Sequence, residues 1–310
     1  MIVVGGEALV DLVPGESTVD GELRPLLPRL GGGPYNVALA AGRLGAPSAF
    51  LSRVSTDRFG VALVDRLQAS NVDTTLTQRG DEPTTLAVVA LDEAGSAHYT
   101  FYTRGTADRL FTDPGPLPEG TTALSLGTLG MVLEPGASAY EAVLRREAAA
   151  GVLTALDPNI RAALIDDPAA YRERFKSWIP DVRLLKLSVE DAEWLAGGMD
   201  LDAAVSSWLD SGVTAVVLTH GAEGLSVRTA GLAVRVPSSR VEVVDTIGAG
   251  DTVQGALLAW FNHRGVTDVA VLGEQDWAAA LGYAAAAAAI TVSRSGAEPP
   301  TEAELGTPRV

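Results

Sequence analysis

Residues Asp245 to Trp260 read DTIGAGDTVQGALLAW, two acids around a turn with almost no side chains, directly ahead of a long apolar run. Gly248, Ala249 and Gly250 can turn their backbone N–H groups onto an anion, and a helix starting at Asp251 adds the positive end of its dipole. A carboxylate at that helix start stays ionised, so Asp251 can take a proton from an attacking hydroxyl, as positioned acids do in phosphoryl transfer. The plainer alternative is an Asp cap behind a glycine-rich turn. The surrounding chain has to decide.

Upstream, short apolar runs alternate with helical patterns, which is the signature of a parallel α/β sheet. The runs MIVVGG, SAFLSRV, TALSLG, GVLTALD, VRLLKLS and TAVVLTHG read as strands. NVALAAGRLG, RFGVALVDRLQAS, SAYEAVLRREAAAG and DAAVSSWLDSG read as helices, and a glycine closes three of the four. The alanine run near residue 285 reads as a helix packed closely on its neighbours. One region breaks the rhythm: LAVVALD and AHYTFYT flank the turn EAGS, an antiparallel hairpin pattern. With the unhelical stretch LVPGESTVDGELRPLLPRL it forms either a small sheet over one end of the main body or a pair of surface insertions.

Composition narrows the function classes. At 310 residues and 47% hydrophobic, the chain can bury one large core, and nothing in it suggests disorder. A formal charge of −16 argues against nucleic acid or an anionic membrane surface as partner. With no cysteine there is no disulfide framework, thiolate nucleophile or Cys-ligated zinc, and His98, His220 and His263 lack metal-ligand spacing. The N-terminus has no basic n-region, so we expect a cytoplasmic protein.

Ligands in open α/β sheets bind outside the carboxyl ends of the strands. Asp11, Asp157, Asn159, Arg161, Lys186, Ser188 and Thr219 all fall at such ends, where each alone would also pass as a turn or cap residue. Gly31, Gly32 and Gly33 let backbone approach a ligand closely, and Asn36 brings an acceptor and donors to the start of the next helix, suiting a hydroxyl-rich ligand. Thr219, Gly221 and Gly224 form a second small-residue turn able to hold phosphates. There is no G-x-x-x-x-G-K-[ST] loop and no H-R-D with D-F-G.

In these motifs the chain resembles the PfkB, or ribokinase-like, family of carbohydrate kinases. GGGPYNVALAAGRLG is similar to the family's N-terminal signature and DTIGAGDTVQGALLAW to its C-terminal one, with LDPNIR, LLKLSVEDAEWL and LTHGAEG in matching order between them. The resemblance spans nearly the whole chain. It implies an α/β, ribokinase-like three-layer fold with a mainly parallel central sheet flanked by helices, in one kinase domain over residues 1–310. It also implies a small β-sheet lid from segments about 12–30 and 84–104, and ATP-dependent phosphorylation of a sugar hydroxyl with Mg²⁺.

By the same resemblance Asp251 matches the catalytic base, and Gly248, Ala249 and Gly250 match the anion hole. Asp11, Gly32, Gly33 and Asn36 match positions that hold sugar hydroxyls, and Arg161 one near the substrate and the transferring phosphate. Lys186, Ser188, Thr219, Gly221 and Gly224 fall on the nucleotide side. Asp245 and the Ile247 carbonyl correspond to monovalent-cation ligands in members that use K⁺. Many members carry Asn-x-x-Glu where this chain reads Ser188-Val-Glu-Asp191, which leaves the shorter Asp191 to organise Mg²⁺ through water. Ala285 stands where ribokinases often place an Asn near adenine.

Fructokinase-like members are similar in GEALVDL, in KLS and in FYTRGTAD, where Tyr102, Arg104 and Asp108 follow or end the lid strand. Fructose is therefore the expected substrate. Tyr99, Tyr102, Arg104 and Arg161 can instead clamp a carboxylate, which keeps 2-keto-3-deoxygluconate as an alternative beside ribose or a nucleoside. A non-catalytic sugar or nucleotide sensor on the same fold is the reading from another class. Lid strands in this family often pair across a homodimer.

Overall fold

The structure is a computed structural model that describes residues 1–15, 24–91 and 97–308. The chain runs β1 (Ile2–Gly5), β2 (Leu9–Pro14), β3 (Leu26–Gly31), α1 (Gly33–Arg43), β4 (Ser48–Ser55), α2 (Arg58–Ala69), β5 (Val72–Asp73) and β6 (Thr77–Gly80). It continues through β7 (Thr85–Leu91), β8 (Ala97–Tyr102), β9 (Ala123–Gly127), α3 (Gly136–Ala149), β10 (Leu153–Asp157), α4 (Pro168–Trp178) and β11 (Leu184–Ser188). After α5 (Val189–Ala196), α6 (Leu201–Asp210) and β12 (Ala215–Thr219) come β13 (Leu225–Arg228), β14 (Ala233–Val236), α7 (Ala249–His263), α8 (Glu274–Val292) and α9 (Glu302–Leu305).

The six apolar runs read as strands are β1, β4, β9, β10, β11 and β12. They line up in the order β12-β11-β10-β9-β1-β4, all parallel, with β5 and β6 on β4 and an antiparallel pair, β13 and β14, at the far edge. Period-2 alternation splits their side chains between two cores. Ile2 and Val4 face Tyr35, Leu257 and Trp277 among α1, α2, α7 and α8, while Val3, Leu124 and Leu185 face Tyr140, Phe175 and Trp178 among the helices of the other layer. Small residues bring α1 and α7 together: a Cβ on Gly255 would stand 2.6 Å from that of Ala40. The alanine run lies in α8 with Ala280, Ala284 and Ala287 fully buried, as its composition implied.

A second, four-stranded sheet is ordered β3-β2-β7-β8. The stretch read only as unhelical supplies β2 and β3, paired antiparallel, and the expected hairpin supplies β7 and β8, with Leu86 opposite Tyr102. The turn EAGS and residues 16–23 lie outside the described residues. Two acids fasten this sheet at its base. Asp57 accepts from the Thr84 N–H at 2.9 Å and the Thr84 hydroxyl at 2.8 Å, and Asp108 accepts from the hydroxyls of Thr85 and Thr106 at 2.6 and 2.9 Å. No helix among the described residues is long and apolar enough to cross a membrane.

Candidate active site

β1 lies between β9 and β4, so the chain changes direction across the sheet at β1, and the carboxyl ends of β1, β9, β10 and β11 open a crevice there. A cavity of about 470 Å³ fills it, bounded by those strand ends, the N-termini of α1 and α7, and the inner face of the small sheet. It collects Asp11, Gly32, Gly33, Asn36, Arg161, Lys186, Ile247, Gly248, Gly250 and Asp251 from the sequence-derived candidates.

Asp251 sits in the first turn of α7 and is buried. Its Oδ2 accepts from Asn36 Nδ2 at 2.8 Å, and its Oδ1 faces Asn159 Nδ2 at 3.4 Å. Burial pushes its pKa above the ordinary aspartate value, against the Asn36 hydrogen bond and the fields of Lys186 and Arg161. Gly248 precedes it with φ 76°, the left-handed region that glycine occupies without strain. Asp11, on β2, carries a pKa pushed up to about 6 by burial, with Arg161 opposing and Asp251 adding to the rise.

Lys186 Nζ donates to Asp157 Oδ2 at 2.7 Å, and both side chains are almost wholly buried. Burial lifts Asp157 to about 6 against the attraction of Lys186, and its Oδ1 is buried without a hydrogen-bond partner. A Cβ placed on Gly250 would come within 2.9 Å of Lys186 Nζ, so the lysine lies directly against the glycine turn. Arg161 Nη1 donates to the carbonyl and the Oδ1 of Asn159 at 3.1 and 2.7 Å, which fixes Asn159 at φ 39° beside Asp251.

A second cavity, about 650 Å³, lies on the other side of the turn. Thr219, Gly221 and Gly224 form one wall, and Val241, Val243, Val253, Ala285 and Ala289 give it apolar surface. Thr246 and Gly250 line both cavities. The two chambers therefore meet at the start of α7, with Asp251 on the polar side.

The family model described as pfkB family carbohydrate kinase matches residues 1–304. The chain belongs to the pfkB family of carbohydrate kinases. It is 42% identical to a fructokinase of Rhizobium leguminosarum bv. trifolii over 84% of this chain and 79% of that one. Among solved structures it is similar to fructokinase with bound ATP from Xylella fastidiosa, with TM-score 0.89 and 28% identity over 98% and 96% of the two chains. It is also similar to the Vibrio cholerae O395 fructokinase in its fructose, ADP and calcium ion bound form, with TM-score 0.84 and 26% identity over 98% and 97%.

The structure gives the other expected residues the following surroundings. Lys186, expected on the nucleotide side, lines the polar cavity, because β11 carries it in beside Asp157. Ser188 caps α5, its Oγ accepting from the Asp191 N–H at 3.0 Å, and Asp191 in turn accepts from the Ile160 N–H at 3.0 Å. Of the three amides expected to face an anion, that of Ala249 points to the Thr246 carbonyl at 3.3 Å, while Gly250 lies in the first turn, where a helix supplies no acceptor. Tyr102 is 58% exposed, on the face of β8 opposite to Tyr99 and Phe101, which line the cavity; strand alternation decides this. Arg104 is exposed beyond the end of β8. Asp245 accepts from the Ile247 N–H at 3.0 Å and the Gly296 N–H at 2.8 Å, tying the turn to the segment after α8.

The cavity also holds residues that the sequence reading passed over: Glu7, Leu9, Thr128, Leu129 and Phe101. Glu7 had a visible signal, an acid directly after an apolar run that ends in two glycines. Thr128, at φ 51°, had none.

Proposed function

We propose that this protein is an ATP-dependent fructokinase that transfers the γ-phosphoryl group in line to a primary hydroxyl of fructose. The observation that carries the reading is the meeting of a polar and a largely apolar chamber at Gly250, with Asp251 beside the junction. Asp251 accepts the hydroxyl proton, and Asn36 and Asn159 hold its two oxygens in place. Lys186 and the Gly250 N–H face the charge that develops on the transferring group, with Arg161 across the chamber from them. Asp11, Asn36 and Arg161 hold the sugar against the Gly32–Gly33 backbone, and the small sheet closes as a lid that excludes water, with Tyr99 and Phe101 against the ligand. Thr219, Gly221 and Gly224 hold nucleotide phosphates.

The donor set also fits Mg²⁺. No group of three acidic or imidazole side chains converges among the described residues. This ion commonly keeps several waters and binds through one or two carboxylates plus substrate phosphates. Asp157, with its unpartnered buried oxygen, and Asp191 are the groups that would hold it. Held there with the triphosphate, such an ion would supply charge neutralisation on the phosphate oxygens. Asp245 and the Ile247 carbonyl would serve a monovalent cation such as K⁺, on the side of the turn where Asp245 already joins two segments.

A neutral sugar suits the polar chamber better than a sugar acid. Lys186 is paired with Asp157, so a carboxylate such as that of 2-keto-3-deoxygluconate would meet Asp11 and Asp251 with Arg161 as the remaining cation among the described lining residues to balance it. The net acidity of the chain gives nucleic acid no footing, and we place the protein in the cytoplasm. Leu26 and Tyr102, exposed on the outer face of the small sheet, supply apolar surface for a homodimer through the lid. The test is a coupled ATP-consumption assay that compares kcat/KM for fructose, ribose, 2-keto-3-deoxygluconate and adenosine. Fructose should lead; saturable sugar binding without turnover would make the protein a sensor instead.

A further inference from the structure

Glu7 stands in the crossing from β1 to β2, where the chain leaves the large sheet for the small one, and only 2% of it is exposed. Its Oε1 accepts from the Gly33 N–H at 3.0 Å, and its Oε2 accepts from the Gly130 N–H at 3.2 Å. One side chain thus gathers three segments: the entry to the small sheet, the N-terminus of α1, and the turn after β9. Gly33 has no lateral freedom there, since any Cβ would strike Thr128 Oγ1 and approach Asn159 Nδ2 to 3.0 Å. Gly32, at φ 116°, passes so close to Glu7 that a Cβ would meet the Glu7 carbonyl oxygen at 2.7 Å. One turn along α1 from Gly33 comes Asn36, the donor to Asp251.

We propose that Glu7 is a positioning residue for the sugar side of the reaction, locking the Gly32–Gly33 backbone and, through α1, the Asn36 amide that faces the sugar and the base. The inference rests on the sugar-kinase reading above. It also changes the role of the glycine loop: the Gly33 N–H is committed to Glu7 and orients the loop, leaving the substrate to the side chains around it. Neighbouring charge belongs to the same assembly. Asp108, which fastens the base of β7 and β8, lies close enough to add to the rise that burial imposes on the Glu7 carboxyl.

The test uses the full chain with Glu7→Ala and Glu7→Gln, measuring KM for fructose and for ATP separately, with thermal melting of each variant. Glu7→Ala should raise the fructose KM about tenfold or more while the ATP KM stays within about twofold of wild type. Glu7→Gln retains one acceptor oxygen for one of the two amides, so its fructose KM should fall between wild type and Glu7→Ala. If Glu7→Ala does not fold, the Glu7→Gln split between the two KM values decides the matter alone. A lower melting temperature with both KM values unchanged, or both raised equally, would overturn the proposal. Failure of the wild-type protein to phosphorylate any sugar would instead overturn the reading on which it rests.

Discussion

Asn36 and Asp251 lie 215 residues apart in the chain and meet at 2.8 Å, Asn36 Nδ2 donating to Asp251 Oδ2. This bond joins the two glycine-rich motifs at the N-termini of α1 and α7, helices that pack closely through Gly255 and Ala40. A donor on one carboxylate oxygen orients the other and favours the ionised form that a base requires. The packing of two helices therefore sets the chemistry of one carboxylate.

The variant Asp251→Asn separates geometry from proton transfer. Asparagine can still present an oxygen to Asn36 Nδ2 and gives up only the longer 3.4 Å contact with Asn159 Nδ2, so most of the chamber is kept, but it cannot serve as a base. Turnover should fall by about 10²–10⁴-fold. Calorimetry should find fructose binding near the wild-type level. Near-normal turnover in this variant would remove Asp251 from the role of base.

The pH profile follows from burial. Asp251 works ionised, its pKa lies above the ordinary value, and Asp11 beside it is lifted to about 6. Both groups become protonated as pH falls through these raised values, so kcat/KM should decline on the acid side well above the range of an exposed aspartate. Arg161 favours the ionised form of both acids. Replacing it by Met should raise both pKa values and move the acid limb to higher pH. A limb that stays in place would show that neither acid controls it.

Lys186 and Asp157 make a different prediction because both are buried. Lys186→Met leaves a carboxylate uncompensated in the interior, which costs about 3–5 kcal/mol in comparable pairs. Without the lysine the Asp157 pKa rises further, so the carboxyl goes neutral as pH falls. The deficit, read by urea unfolding, should accordingly be larger at high pH than at low pH. The double variant Lys186→Met with Asp157→Leu should regain most of the lost stability. It should not regain turnover, since the Lys186 ammonium no longer stands against Gly250.

Residues differ in how far the sequence exposed them. The parallel strands were legible because runs such as GVLTALD carry apolar residues for both faces and end in polar residues, and Asp157, Asn159 and Arg161 could be placed at a strand end from that alone. Asp251 was legible because the family resemblance of DTIGAGD, with GGGPYN and the strand ends in matching order, decides between a base and the plain helix cap that the turn alone allows equally. Tyr102 was not: its neighbour Tyr99 has the same composition and the opposite consequence, and only the register of β8 assigns the faces. Lys186 falls on the nucleotide side by resemblance, and its strand-end position alone says nothing about which side of α7 the side chain reaches. The Asp57 and Asp108 fastenings depend on threonines that come together only after the small sheet folds back onto the main body.

Gly250 gives the most local test of the turn. Its backbone lies outside the left-handed region, so an L-residue meets no conformational penalty there, and the constraint is space alone. A Cβ would stand 2.9 Å from Lys186 Nζ, whose bond to Asp157 at 2.7 Å limits its retreat. Gly250→Ala should therefore fold with a melting temperature near wild type while kcat drops about tenfold or more, because the lysine and the first-turn amide no longer share one position. Gly248→Ala should behave differently. At φ 76°, with Ala297 Cβ 2.6 Å from the added carbon, it combines backbone strain with a clash and should lower the melting temperature as well as kcat. Equal losses of stability in the two variants would mean that the turn is only a cap for α7. A loss of turnover without a loss of stability at Gly250 would mean that the turn takes part in the transfer.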